Sequence, residues 1–140
     1  MKANYFDLEN SCFEKPDWEE GKLAYDVALR TLKEGAEENY DAVCELLVRA
    51  IENNFVKAWS ELGVFYFKIK GDRKEALRCF QLGTQQGDPL SMFYLGFMMF
   101  KGCDCAKDVK NGLKYIKNAA DLGVPKAVAW WKKRKTLLAK

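Results

Sequence analysis

The chain contains no histidine, and this absence restricts its chemistry more than any other feature of the composition. Histidine is the usual general base near neutral pH, the usual activator of serine and cysteine nucleophiles, and the commonest metal ligand. Triads of the usual kind and all histidine-containing metal sites are therefore excluded. We predict a protein that is not an enzyme, with no catalytic residues, no cofactor and no bound metal.

Long apolar segments are also missing. No apolar run approaches the roughly 20 residues that span a bilayer, and the amino-terminal sequence MKANYFDLENSCFEKPDW has no apolar core of a secretory signal. The cysteines number five, an odd count, and their spacings form no paired framework. Such cysteines are typical of thiols in a reducing compartment. We predict a cytoplasmic protein without a membrane partner.

The residues that are present suit a single globular domain with an uneven charge distribution. Hydrophobic residues make up 49% of the 140 residues and aromatic residues 14%, which excludes a disordered chain. Residues 1–60 carry 7 basic and 13 acidic side chains, whereas residues 61–140 carry 16 and 7. This polarity suits an acidic partner for the second half or weak head-to-tail homo-association, but a solvated basic helix face is the simpler interpretation.

A segment of about 33 to 36 residues is repeated along the chain. The sequence KAWSELGVFYFK (57–68) aligns with LSMFYLGFMMFK (90–101) at an offset of 33 residues. The sequence CFQLGTQQGD (79–88) aligns with YIKNAADLGV (115–124) at an offset of 36 residues. Apolar residues recur at helical spacing, and no useful length alternates with period two. The repeated unit is therefore predicted to be a pair of helices.

These repeats predict an all-α domain over residues 17–140, preceded by a poorly ordered lead-in over residues 1–16. Helices are expected near residues 17–34, 39–53, 56–69, 72–86, 89–101, 108–122 and 125–138. The expected units are residues 17–55, 56–88 and 89–124, followed by a capping helix over 125–138. Because glycine lowers helix propensity, its recurrence at Gly63 and Gly96 indicates a close approach of neighbouring helices.

The unit at residues 88–123 resembles a Sel1-like repeat in the order and spacing of its marker residues. These markers are Leu95-Gly96, Gly102, Asp108, Tyr115, Ala119-Ala120 and Gly123. The preceding unit matches at Leu62-Gly63, Tyr66, Gly83 and Gly87. Its shorter connection, IKGDRKEA, is closer to that of a tetratricopeptide repeat. The first unit matches only in its second helix, so the resemblance covers roughly residues 40–131.

The resemblance implies a right-handed α-solenoid of about three antiparallel helix pairs plus a carboxyl-terminal capping helix. In such a solenoid the first helices of the pairs line a concave groove. Members of the Sel1-like family typically act as adaptors and scaffolds without catalysis. The resemblance therefore implies a protein-binding function for this chain.

The connection KGCDCAKD differs from the Sel1-like pattern at two positions. Asp104 stands in place of a glycine and Cys105 in place of a valine. Aspartate tolerates a left-handed backbone better than most residues, and a free cysteine packs as a small hydrophobe. A structural zinc needs four ligands, and one Cys-x-Cys pair supplies two. We predict a structural turn with Asp108 as the helix cap, while Cys103 stays a candidate reactive thiol.

The candidate partner-binding residues follow from the groove face of the first helices, by analogy with tetratricopeptide repeats. They are Lys57, Ser60, Val64, Phe67, Lys68, Leu90, Phe93, Phe97, Phe100, Lys101, Lys126, Ala129 and Lys133. Together they form an aromatic strip with a basic margin. The alternative is that the phenylalanines are core residues between tightly packed repeats.

The predicted function is a non-catalytic interaction module, an adaptor or scaffold that binds an apolar or mildly acidic peptide or helix. Three alternatives stay open: a self-assembling structural protein, a toxin-immunity-type binder, and a cysteine-based enzyme or metal protein. Nucleic acid is not the expected partner, because the basic run Lys132 to Lys135 has no stacking platform beyond Trp130 and Trp131.

Overall fold

A computed structural model describes residues 16–138 of the chain, and side chains as far as residue 136. Apart from Pro16, the predicted lead-in lies outside the described residues. Within them the protein has seven α-helices and no strand, which confirms the all-α prediction. The helices are α1 (Trp18–Glu34), α2 (Tyr40–Glu52), α3 (Lys57–Phe65), α4 (Arg73–Gln85), α5 (Pro89–Lys101), α6 (Val109–Asp121) and α7 (Pro125–Leu138).

Aspartates precede several of these helices, and the sequence predicted such a cap at Asp108. The carboxylate of Asp72 accepts a hydrogen bond from the backbone N–H of Glu75, and that of Asp108 accepts one from Asn111. Each bond satisfies an N–H group that the first helical turn leaves without an internal partner. Asp88 precedes α5, but its buried carboxylate accepts a bond of 2.6 Å from the Ser91 hydroxyl instead.

The end of the second hairpin's first helix departs from the sequence prediction. A continuous helix was expected over residues 56–69, but α3 ends at Phe65 and continues as a π-helical turn over Tyr66–Lys70. The wider turn closes when the Gly71 N–H donates to the carbonyl oxygen of Tyr66, and the Asp72 N–H donates to the same oxygen at 2.9 Å. Phe67 and Lys68 lie within this turn.

The described chain divides into two compact units, with the boundary after Phe55. In the first unit, α1 packs on α2 through Ala24, Ala28, Val43, Leu47 and Ala50, all of which are buried. A Cβ at Gly21 would lie 3.0 Å from that of Asn53, so α1 approaches the end of α2 closely there. Gly21 is thus a packing residue inside the first helix.

The second unit contains α3 to α7, and glycines bring its paired helices together. A Cβ at Gly63 would collide with the ring of Phe80 on α4. A Cβ at Gly96 would lie 2.8 Å from the carbonyl oxygen of Gly112 on α6. The close helix approach predicted from these two recurring glycines is therefore confirmed. That residues 17–140 form a single repeat domain stays a prediction.

Candidate binding pocket

An apolar pocket of about 190 Å³ opens in the second unit. Its walls come from α3 with its π-turn, from α4 and α5, and from the start of α7. The lining residues are Val64, Phe67, Lys68, Phe80, Tyr94, Phe97, Met98, Cys103 and Lys126. Two lysines and one thiol are thus set among otherwise apolar and aromatic side chains, and none of the nine residues is acidic.

Helical geometry explains why α5 contributes the largest share of this wall. Tyr94, Phe97 and Met98 stand at positions i, i+3 and i+4, which place their side chains on one face of the helix. Opposite them, the π-turn after α3 brings Phe67 and Lys68 to the pocket. The pocket therefore depends on a regular helix on one side and on an irregular helix end on the other.

Aromatic rings form the floor and basic groups form the margin. The rings of Phe80 and Tyr94 stack with centroids 4.9 Å apart. The Lys126 Nζ donates to the Tyr94 hydroxyl at 2.7 Å and lies 5.3 Å from the centroid of that ring. Lys101 Nζ lies 5.7 Å from the Phe97 centroid. Such cation–π contacts hold flexible basic side chains against the apolar surface.

The structure brings together five of the thirteen predicted partner-binding residues. Val64, Phe67, Lys68, Phe97 and Lys126 all line the pocket, and Lys101 contacts its edge through Phe97. Lys57, Ala129 and Lys133 are exposed elsewhere on the second unit.

The remaining four predicted residues pack within the second unit. Ser60 is only 2% exposed, and its hydroxyl donates to the carbonyl oxygen of Lys57. Phe93 is 7% exposed, and it lies in a core cluster against which Leu90 and Phe100 also pack. The three apolar residues thus lie as the core alternative describes, because Ile116 of α6 and Ala127 of α7 belong to the same cluster.

Four lining residues were not among the predicted site: Phe80, Tyr94, Met98 and Cys103. The sequence marks Phe80 as a core position on the second helix of its pair, and it is indeed 2% exposed. Its ring nevertheless forms the pocket floor, which periodicity alone does not indicate. Tyr94, one turn before Phe97, could have been identified from the sequence, because a hydroxyl on an apolar helix face needs a polar partner.

The connection between α5 and α6 is a structural turn, as predicted, with one side chain in the pocket. Asp104 has a φ of 53°, the left-handed conformation expected where the repeat has a glycine. The Cys105 thiol lies 3.7 Å from the Met98 carbonyl oxygen, to which it donates a weak hydrogen bond. Burial, with help from the nearby Cys103 and Asp104, raises the pKa of the Cys105 thiol. Cys103 itself faces the pocket.

No cluster of metal-ligating residues occurs in the described part of the chain. There, no three cysteine, aspartate or glutamate side chains converge in a group that could hold a metal ion. Among residues 16–138, no helix combines the length and the apolar character needed to cross a membrane.

Comparisons with known proteins give relatives at the level of structure. No family model and no curated protein sequence matches the chain. A Sel1 repeat protein from Oxalobacter formigenes superimposes with a TM-score of 0.69 at 23% identity, over 76% of this chain and 44% of its own. Cysteine-rich protein B of Helicobacter pylori gives 0.62 at 22% identity, over 79% and 88% respectively.

The chain therefore spans less than half the length of the Oxalobacter protein. At these identities the comparisons concern the fold alone, and they agree with the helices described above. The chain has the α-solenoid fold of Sel1-like repeat proteins.

Proposed function

We propose that the protein is a non-catalytic interaction module, an adaptor or scaffold, whose second unit binds a peptide or helix of another protein. The observation that carries this proposal is the apolar pocket bordered by lysines. Sel1-like repeat folds fit protein-interaction modules in general. We also propose a cytoplasmic location, because Cys103 and Cys105 lie in one turn and are free cysteines, as is usual in reducing compartments.

The size of the pocket supports a side-chain anchor rather than a large ligand. An apolar cavity of about 150 Å³ holds benzene in other proteins, so 190 Å³ suits one leucine or phenylalanine side chain. Burying such a side chain contributes about 1.5–3 kcal/mol. That is too little for a stable complex alone, so the exposed surroundings of the pocket must add contacts along the partner.

A selection from a displayed library of random 12-residue peptides, using the full chain as bait, tests this assignment. Dissociation constants of the selected peptides would then be measured for the wild-type chain, Phe97→Ala and Phe100→Ala. Phe97 lines the pocket, whereas Phe100 is a half-buried phenylalanine on the same helix that packs on Trp130. We expect Phe97→Ala to weaken binding about tenfold or more, and Phe100→Ala to change it less than about twofold.

Cys103 provides an independent measurement of occupancy. Because its side chain lines the pocket, a bound peptide should slow its alkylation by iodoacetamide, while Cys44 in the first unit reacts at an unchanged rate. Equal losses of affinity in the two phenylalanine variants, or an unprotected Cys103 at saturating peptide, would rule out the pocket as the binding site. Both variants must first retain the helical circular dichroism of the wild type.

Self-assembly is the second candidate function, because the charge balances of residues 1–60 and 61–140 are −6 and +9. Opposite charges on two copies attract over about one Debye length, roughly 10 Å at 0.1 M salt. Light scattering at low and high salt tests this function. Growth of the scattering mass at low salt supports it, and a monomer at every salt concentration contradicts it.

A further inference from the structure

We infer that the segment bound by the pocket is acidic: one bulky apolar side chain flanked by aspartate or glutamate. This inference rests on the proposed function and specifies the partner of the same site. It derives from the charge of the pocket margin, because the apolar floor alone does not determine the charge of the partner.

The basic groups at the margin have no acidic partner within the described chain. Lys68 is exposed at the pocket, Lys101 lies over Phe97, and Lys126 contacts Tyr94. None of the three lies within ion-pair distance of a described carboxylate. Elsewhere on the surface, lysines do form such pairs, as Lys117 does with Asp121 at 3.2 Å. The pocket margin therefore keeps positive charge that a bound segment can neutralise.

Lys126 is held in position to make that contact. An ammonium group has three N–H donors. One of them is directed to the Tyr94 hydroxyl at 2.7 Å, which holds the group beside that hydroxyl and leaves two donors for other acceptors. Because the side chain is already restrained, a carboxylate that binds there loses less affinity to the ordering of the lysine.

The surrounding charge acts in the same direction. Residues 61–140 carry a balance of +9, and every residue that lines the pocket lies within this part of the chain. A basic peptide would be repelled over the same distance at which an acidic one is attracted. A neutral peptide would gain only the contact of its apolar side chain. Charge complementarity therefore favours an acidic segment over both.

The peptide selection described above tests this inference through the composition of the enriched sequences. We expect them to carry a leucine, phenylalanine or other bulky apolar residue with aspartate or glutamate within about three positions. Synthetic copies with asparagine and glutamine in place of the acids should bind about tenfold more weakly at low salt, since each exposed ion pair changes affinity by up to about fivefold.

Two variants that each lack two lysine charges test whether the preference for acidic peptides comes from the pocket. The double substitution Lys68→Gln with Lys126→Gln removes two charges at the pocket, and Lys74→Gln with Lys114→Gln removes two exposed charges outside it. We expect the first variant to lose about tenfold in affinity at low salt and the second to lose less than about twofold. The difference should shrink as sodium chloride screens the charges.

The outcomes separate the inference from the proposed function. Enriched peptides that are neutral or basic, yet lose affinity in Phe97→Ala, overturn the acidic partner and leave the pocket assignment standing. Equal losses in the two lysine variants overturn it as well. If nothing is enriched, or if binding is independent of Phe97, both the inference and the proposed function are wrong.

Discussion

The second hairpin consists of α3 and α4, and the third of α5 and α6. The connections between the two helices of each hairpin begin and end alike but differ in length. Each starts with a glycine in the left-handed conformation, Gly71 with a φ of 68° and Gly102 with a φ of 77°. Each ends with an aspartate that caps the following helix. Between them, the shorter connection has no residue, because Asp72 follows Gly71 directly. The longer one has the five residues 103–107.

This difference determines how each hairpin contributes to the pocket. The shorter connection follows a π-helical turn, which brings Phe67 and Lys68 to one wall. In the longer one, α5 stays regular as far as Lys101, and the loop itself adds Cys103 to the opposite side. The repeated helices thus form the framework, and the candidate pocket is completed where the two hairpins differ from each other.

The largest expected effect on stability concerns the close glycine contact that each hairpin has between its two helices. We expect Gly96→Ala to destabilise the protein by about 3 kcal/mol or more and Gly63→Ala by less, because overpacking costs about 1–3 kcal/mol where neighbours can move. The new methyl at Gly96 meets the backbone oxygen of Gly112, whereas at Gly63 it meets the ring of Phe80, a side chain that borders the pocket and has space to shift towards it. Urea unfolding of both variants measures the difference.

Lys114→Ala on the exposed face of α6 is the control for this comparison, with an expected change within about 0.5 kcal/mol. Because Phe80 also forms the pocket floor, Gly63→Ala should weaken peptide binding as well. If Gly63→Ala proves more destabilising than Gly96→Ala, rigidity of the contacted atom is not what decides the cost.

The second prediction concerns the two glycines that begin the connections. A left-handed alanine costs about 1–2 kcal/mol, so Gly71→Ala and Gly102→Ala should both lower the free energy of unfolding. Gly102→Ala should lower it further, because its Cβ would lie 3.0 Å from that of Lys107, while nothing lies within 4 Å at Gly71. Thermal unfolding compares them with Gly71→Asn, which should lose less because asparagine tolerates this conformation.

The sequence predicted the hairpins well because their determinants are local and repeated. Helical periodicity indicated seven helices, and the recurrence of Gly63 and Gly96 indicated two of the close contacts between them. The π-turn was missed because it depends on the helix end, where the Gly71 and Asp72 N–H groups both donate to the Tyr66 carbonyl, an arrangement that leaves no trace in apolar spacing. Where a helix ends therefore proved harder to predict than where it lies.

The candidate site was predicted only in part, for a related reason. A groove face assigned from one helix ignores which neighbours cover it. Ser60 and Phe93 were placed on that face, but neighbouring side chains bury both. Phe80 belongs to the core by pattern and to the pocket by position. The packing of the neighbouring helices decides which face of a helix stays exposed. The sequence of that helix alone gives little information about it.

The third prediction concerns the pKa of the cap that ends the longer connection. Hydrogen bonds from the backbone and side chain of Asn111, and the nearby Lys110, hold the pKa of Asp108 below its usual value. Its stabilising contribution is therefore present above the ordinary aspartate pKa of about 3.9 and is lost as the pH falls through the lower folded value. Asp108→Asn should make unfolding less dependent on pH in this acidic range.

Asn111→Ala is the matched variant for the cap, because it removes the side-chain donor and keeps the backbone donor. We expect it to raise the pKa of Asp108 part of the way towards the ordinary value, as followed by NMR titration of the carboxyl group. An unchanged titration would show that the side chain of Asn111 contributes nothing to the cap.

The smallest expected effect concerns Cys105, which has no counterpart in the shorter connection. Cys105→Val should change stability by less than about 1.5 kcal/mol near neutral pH, because the repeat pattern has valine there and the swap nearly conserves volume. Cys105→Ser, which replaces the thiol with a more polar hydroxyl, should cost more. Urea unfolding of the two variants compares packing with polarity at one position.

The pH dependence of Cys105→Val then separates packing from ionisation. Burial raises the pKa of the Cys105 thiol, so the unfolded chain loses this proton first as the pH rises past about 9. The wild type should therefore lose stability above that pH, and the valine variant should lose less. Parallel losses in the two proteins would mean that the thiol ionises as easily in the folded turn as in the unfolded chain. Burial of Cys105 in the longer connection would then have no measurable effect on the pKa of its thiol. The side chain of Cys103 in the pocket would be the remaining difference between the two connections.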